Sequence, residues 1–115
     1  MNIDSGTFAR ATTGSATYIM NNNFVPELIF FYATGKTSAD TETHIALGYW
    51  HGGPDGTLQA SNGKSSETRS KSFSHYAGTT EKIAFTVTGV ISGEYTLNYT
   101  AADSNYNIHA LLIAS

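Results

Sequence analysis

The chain is a succession of short stretches in which apolar and polar residues alternate, separated by turns rich in Gly, Asn, Asp and Ser. In residues 94–100, Tyr95, Leu97 and Tyr99 alternate with polar residues, which is the pattern of a strand with one dry and one wet face. No stretch shows a sustained period of 3.6 residues. The pattern therefore predicts an all-β protein: a single domain, residues 1–115, folded as an antiparallel, jelly-roll-like β-sandwich of about eight short strands.

Two stretches, residues 27–34 and 106–114, are apolar on both of their alternating faces. Without helices to cover the second face, it must meet another sheet, a loop or another chain, because an open apolar face promotes aggregation. We expect a symmetric homo-oligomer, specifically a trimer packed around an axis, to cover it. The residues predicted for this interface are Ile29, Phe31, His109, Leu111 and Ile113.

A third stretch, residues 68–76, alternates large and small side chains. Arg69, Lys71, Phe73 and His75 are separated by serines. Because the intervening residues are small and polar, the pattern predicts a mostly exposed strand.

The composition narrows the range of partners. Charged residues make up only 13% of the chain and the net charge is −3, with no basic stripe, so a nucleic-acid partner is not expected. No stretch approaches the roughly 20 apolar residues of a membrane span, and the polar start of the chain is unlike a signal peptide. With no cysteine in the chain, disulfides, zinc–thiolate sites and thiol nucleophiles are excluded.

The sequence offers no arrangement typical of catalysis. It contains no G-x-S-x-G elbow and no H-x-H or H-E-x-x-H metal spacing, and glycine-rich phosphate cradles need a helix that the pattern does not predict. His109 lies in an apolar strand, which favours a packed, hydrogen-bonded core histidine over a ligand. We therefore expect a protein that is not an enzyme, with no catalytic residues, no metal and no cofactor.

One aromatic group is a candidate contact for a ligand or a partner. Tyr49, Trp50 and His51 stand at the end of a predicted strand, beside the glycine-rich turn 51–56 that contains Asp55. Aromatic faces of this kind stack on sugar rings, but tryptophan and tyrosine also anchor protein interfaces or pack at the rim of a sandwich. For these four residues, contact with a sugar and packing against protein both stay open.

The two ends of the chain carry motifs of a known kind. The opening, GTFARATTGSATYIMNNNFVPELIFFYATGKT, is similar to the start of small β-sandwich proteins encoded among bacteriophage structural genes, in which a GTF…TG start leads through a turn to F-x-P and an apolar strand ending in ATG. The ending, GEYTLNYTAADSNYNIHALLIA, resembles their last two strands, with a polar turn between them. The resemblance covers roughly half of the chain.

The ending also resembles that of the H-type lectins, which are trimeric six-stranded β-sandwiches that bind N-acetylgalactosamine-like sugars. Asp103, Tyr106 and Ile113–Ala114 fall in the places of the matching residues in the last hairpin of those lectins. The chain has no clear match to their sugar-contacting loop. Both resemblances imply an oligomeric sandwich.

The resemblances imply a bacteriophage virion structural protein, foremost a capsid decoration (cement) protein that stabilises the head through protein–protein contacts. The implied partners are copies of itself and the major capsid protein or another virion protein, on the capsid surface or in a tail or fibre. The expected contacts with the shell are the loops at residues 51–56 and 62–67 and the N-terminal segment. The alternative is a trimeric, lectin-like carbohydrate-binding or receptor-binding module, whose partner would be a glycan.

Overall fold

The computed structural model describes residues 1–35, 44–52, 56–61, 64–68, 71–77 and 80–115, and of residues 44–45, 56–61, 64–68 and 77 the backbone alone. Within these residues the chain forms ten strands, close to the predicted number. They are β1 (Asn2–Phe8), β2 (Gly14–Ile19), β3 (Leu28–Gly35), β4 (His44–Trp50), β5 (Gly56–Ser61), β6 (Lys64–Thr68), β7 (Phe73–Ala77), β8 (Thr80–Ile91), β9 (Glu94–Ala101) and β10 (Tyr106–Ala114).

The strands form two antiparallel sheets that pack face to face. The larger sheet has the order β1–β10–β3–β4–β5–β6, and the smaller has the order β2–β9–β8–β7. β1, β2 and β3 alternate between the sheets, as do β9 and β10, whereas β3 to β6 and β7 to β9 are meanders. The predicted all-β, antiparallel sandwich is confirmed, and the exchange of its terminal strands between sheets is its jelly-roll-like part.

The strands β1 to β4 and β7 to β10 share one core, to which each contributes side chains from its inner face. Aromatic rings are prominent in it: Phe31 of the larger sheet and Phe85 of the smaller meet edge to face, with ring centroids 4.8 Å apart. The buried hydrophobic residues of the core are Met20, Ile29, Phe31, Ala46, Phe73, Ile83, Phe85, Tyr95, Leu97, Tyr99, Tyr106, Ile108, Ala110 and Leu112. Because members of this set range from Met20 to Leu112, the core forms only when distant segments come together.

The strand that was predicted to be mostly exposed is buried instead. Phe73 and the neighbouring Ser72 and Ser74 are fully buried, and His75 is 4% exposed. The Ser72 hydroxyl accepts a hydrogen bond from a backbone N–H of β8 at 2.9 Å, which satisfies a polar group away from water. Small hydroxyl side chains thus let β7 be buried on both sides. The prediction of exposure is therefore wrong for residues 72–75. Arg69 lies outside the described residues.

The two sheets come into backbone contact where β4 passes β7. Gly48 of β4 lies against Ser72 and Phe73: a Cβ atom added to Gly48 would overlap the Ser72 carbonyl oxygen and lie 3.0 Å from the Phe73 Cα. Two backbones can approach this closely only where one of them carries no side chain. Glycine at position 48 is therefore a requirement of the packing between the sheets.

The carboxylate of Asp4 ties the N-terminal strand to the connection between β2 and β3. Asp4 is 6% exposed. It accepts hydrogen bonds from the Asn22 N–H at 2.9 Å, the Asn21 side-chain amide at 3.0 Å and the Ser5 N–H at 2.8 Å. Burial acts to raise the pKa of Asp4, but these hydrogen bonds outweigh it and hold the pKa below its ordinary value. The fold therefore stabilises the charged form.

Asp4→Asn is expected to lower the free energy of unfolding at neutral pH by about 1–3 kcal/mol. The side-chain NH₂ group of asparagine would face N–H donors that now donate to the Asp4 carboxylate. Since the pKa of Asp4 is lowered by folding, its contribution is present above the ordinary aspartate pKa and is lost as the pH falls through the lowered value. Urea unfolding of both proteins at neutral pH and in acid measures this. The difference between them should shrink in acid; an equal difference at both pH values would contradict a role for the charge.

Candidate functional site

The side of the larger sheet that faces away from the core is the candidate functional site, called the outer face below. Strand register sets its side chains side by side across β1, β10, β3 and β4. Its aliphatic residues and its phenylalanine are Ile3, Leu28, Phe30, Leu47, Leu111 and Ile113. Its other residues with described side chains are Ser5, Thr7, Tyr32, Thr34, Tyr49, Asn107 and His109.

The five residues predicted for an oligomer interface divide between two sides of the sheet. His109, Leu111 and Ile113 lie on the outer face. Ile29 and Phe31 are 0% exposed and belong to the core. The prediction that Ile29 and Phe31 are interface residues is therefore wrong, because their side chains are already covered by the smaller sheet.

The pairing of β3 with β10 shows why the orientation of β3 was missed. Leu28 lies opposite Ile113 and Phe30 lies opposite Leu111, so the even-numbered residues of β3 point outward. Both alternating sets of β3 are apolar, and periodicity alone does not distinguish them. The partner strand lies far away in sequence, so only a strand register, which the sequence does not display, would have identified Phe30 as an outer-face residue.

The outer face is apolar, and some of its side chains protrude while others are recessed between them. The protruding ones include Ile3, Tyr32, Leu47 and Leu111, which are 52%, 48%, 44% and 39% exposed, whereas Phe30 between them is half-buried. Among the described side chains of this face, none carries a carboxylate, ammonium or guanidinium group. Contiguous apolar surface without charge is typical of a site that another molecule covers.

His109 is the polar centre of the outer face, and its ring is held by neighbouring strands on both sides. Its Nδ1 lies 3.1 Å from the Thr7 hydroxyl of β1, and its Nε2 lies 2.8 Å from the Thr34 hydroxyl of β3. Tyr32 stacks on the ring, with centroids 4.5 Å apart and planes 16° apart. Since a hydroxyl both donates and accepts, the two threonines satisfy either neutral form of the imidazole.

These threonine contacts confirm that His109 is hydrogen-bonded, but the prediction of a core histidine is wrong, because His109 lies on the outer face. Thr7 and Thr34 were not among the predicted site residues. They lie in β1 and β3, at opposite sides of β10, and are paired with residues of β10 by register. No local motif connects residues this far apart in the chain, so no signal in the sequence would have found them.

The predicted aromatic contact group is divided between the two sides of the sheet. Trp50 lies opposite Ile29 and packs against the core, half-buried. Tyr49 points outward, and its ring stacks with that of His51 at a centroid distance of 5.6 Å. The prediction of one surface formed by Tyr49, Trp50 and His51 is therefore wrong for Trp50, because adjacent residues of a strand face opposite ways. Asp55 lies outside the described residues.

A further aromatic group lies on the inner side of β2 and β9. The hydroxyls of Tyr18 and Tyr99 share a hydrogen bond of 2.8 Å, and Phe8 stacks on Tyr18 with ring centroids 4.0 Å apart. Burial, together with the hydrogen bond to Tyr18, raises the pKa of Tyr99. The phenol therefore stays protonated at neutral pH, which suits a core residue rather than an acid–base group.

In the part of the chain that the structure describes, no group of three or more His, Asp or Glu side chains is placed to hold a metal ion. Over the same described ranges, no helix is long and apolar enough to cross a bilayer.

The described residues form an antiparallel β-sandwich in which the outer side of the larger sheet is apolar. Comparison with known proteins finds no matching family model, no curated protein and no solved structure with significant similarity to this chain.

Proposed function

We propose that this protein is a bacteriophage virion structural protein of the capsid decoration (cement) type, which stabilises the head through protein–protein contacts. The observation that carries the proposal is the outer face, an apolar surface without charged groups among its described side chains, built on a hydrogen-bonded sheet. Such a surface suits contact with other protein chains. The resemblance of both chain ends to phage β-sandwich proteins supports the virion setting.

The N-terminal strand offers a contact for the shell. β1 is the edge strand of the larger sheet, and its second edge is not paired with any strand among the described residues. A free strand edge can accept a strand of another protein through backbone hydrogen bonds. His51 and Gly52, at the end of β4, are exposed and supply a second contact. Positions 53–55 and 62–63 of the predicted loop contacts lie outside the described residues, and the prediction of a loop is wrong for residues 64–67, which belong to β6.

Phage heads assembled without this protein test the proposal. Purified protein is expected to bind such heads and to raise the temperature at which they rupture, because a ligand that binds only the assembled shell stabilises it. Heads already saturated with the protein are the control, and they should show no further rise. Absence of both binding and stabilisation would overturn the proposal.

The alternative function, a lectin-like carbohydrate-binding or receptor-binding module, is supported by the stacked Tyr49–His51 pair on the outer face. A glycan array probed with the same preparation separates the two functions. A competable signal that Tyr49→Ala removes, found together with heads that the protein does not stabilise, would replace decoration with glycan binding. Trp50→Ala is unsuited to this purpose, because Trp50 packs against the core.

A further inference from the structure

We infer that a second copy of this chain covers the outer face, sheet against sheet. The inference rests on the proposed function for its biological setting. It adds a specific partner to that function, namely a second copy of the protein. Two packed sheets normally keep their strands within about 30° of each other, and their side chains interdigitate. The alternation of protruding residues such as Leu111 with half-buried ones such as Phe30 gives the relief that this packing needs.

The outer surfaces of the two sheets differ in polarity, and that of the larger sheet is the more apolar. The smaller sheet presents mainly hydroxyl and amide groups to solvent: Thr17 and Thr96 hydrogen-bond through their side chains at 2.9 Å, and Ser15 lies opposite Asn98. Its exposed Ile19 and Ile91 lie at one end of the sheet, both paired with the charged Glu94. The larger sheet presents leucine, isoleucine, phenylalanine and tyrosine instead. A soluble monomer needs two wet surfaces, whereas a sandwich that associates through one surface needs only one.

The charge and hydrogen bonding of the outer face favour an identical partner. A face without charged groups among its described side chains needs no complementary charge, and an identical face meets it without repulsion. The most central polar side chain, His109, already has both ring nitrogens within hydrogen-bond distance of Thr7 and Thr34. Covering it therefore leaves no ring nitrogen unsatisfied, and the partner need not supply a matching polar group.

The size of the face matches what self-association needs. The four strands of the outer face, β1, β10, β3 and β4, are spaced about 4.8 Å apart and rise about 3.4 Å per residue, which gives a projected area of roughly 500 Å². Side chains raise the accessible area above the projected area, toward the roughly 800 Å² per partner that stable interfaces bury. When the same surface of two copies meets, a twofold axis relates the copies and the contact closes as a dimer.

Introducing a charged side chain on the outer face tests the inference. Leu111→Lys places an ammonium group at the middle of the outer face, and association should weaken by at least about a hundredfold because the charge would be buried without a partner. Ile91→Lys is the matched control: Ile91 is 60% exposed on the outer surface of the smaller sheet, so this variant should associate like the wild type. Sedimentation equilibrium measures both.

A second variant guards against a folding defect. Leu47→Lys alters the same face from a different strand, at a residue that is 44% exposed, and should weaken association in the same way. The midpoint of thermal unfolding should rise with protein concentration for the wild type and not for the two outer-face variants. A monomeric wild type, or outer-face variants that associate as tightly as Ile91→Lys, would overturn the inference. Oligomers that fail to bind phage heads would instead overturn the proposed function alone.

Discussion

Replacing Gly48 with alanine is expected to destabilise the protein by about 3 kcal/mol, because the added methyl group has no room between the sheets. The new Cβ would overlap the carbonyl oxygen of Ser72 and lie 3.0 Å from both the Cα and a ring carbon of Phe73. Backbone atoms cannot rotate away as the end of a flexible side chain can. The substitution must therefore push β4 from β7 and loosen the packing of Phe73, which is fully buried.

Gly89→Ala is the matched control for this effect. A Cβ added to Gly89, in β8, would meet no atom of the described residues within 4 Å, and the φ angle there is not in the left-handed region. Its effect on the free energy of unfolding should stay within about 0.5 kcal/mol, as for most surface substitutions. Urea unfolding of the three proteins measures both differences. Equal stability of the two variants would show that β4 and β7 do not approach as closely as described.

Phe31→Ala is expected to cost about 3–5 kcal/mol, the usual range for removing a fully buried phenylalanine. Phe31 is 0% exposed, and its ring meets Phe85 of the opposite sheet edge to face. Truncation leaves a cavity at the contact between the sheets and removes this aromatic pair. The free energy of unfolding in urea, followed by circular dichroism, is the measurement.

The neighbouring Phe30 supplies the control, since it has the same side chain one position away and points outward. Phe30→Ala should cost the dissociated chain about 1 kcal/mol or less, because its side chain is only partly removed from water. Its main effect should be weaker self-association. If Phe30→Ala were the more destabilising of the two in the dissociated chain, the orientation of β3 would be the reverse of the one described.

The sequence-based prediction was most successful where one face of a strand is polar. In β9, the alternation of Tyr95, Leu97 and Tyr99 with polar residues predicts a strand and also its inner face, and all three residues are buried. The all-β class and the sandwich followed from many such stretches. These features are local, because the period of two is a property of each strand by itself.

The prediction failed where the outcome depends on distant segments. The inner face of β3 is decided by its register with β10 and β4, so Ile29 and Phe31 were assigned to the wrong side. Trp50 was grouped with Tyr49 because they are adjacent, although adjacent strand residues point to opposite faces. The burial of residues 72–75 was also missed, because their serines are polar. The Ser72 side chain accepts a hydrogen bond from the β8 backbone, and no local sequence pattern indicates such a contact.

The central claim is that other protein covers the outer face, beginning with a second copy of the chain. Native mass spectrometry of the unmodified protein at micromolar concentration tests it most directly. We expect twice the single-chain mass, because two identical faces that meet sheet against sheet are related by a twofold axis; three times the single-chain mass would instead favour the trimer expected from the sequence. A single-chain mass at every concentration up to the limit of solubility would contradict the account, because the apolar outer face would then be open to water.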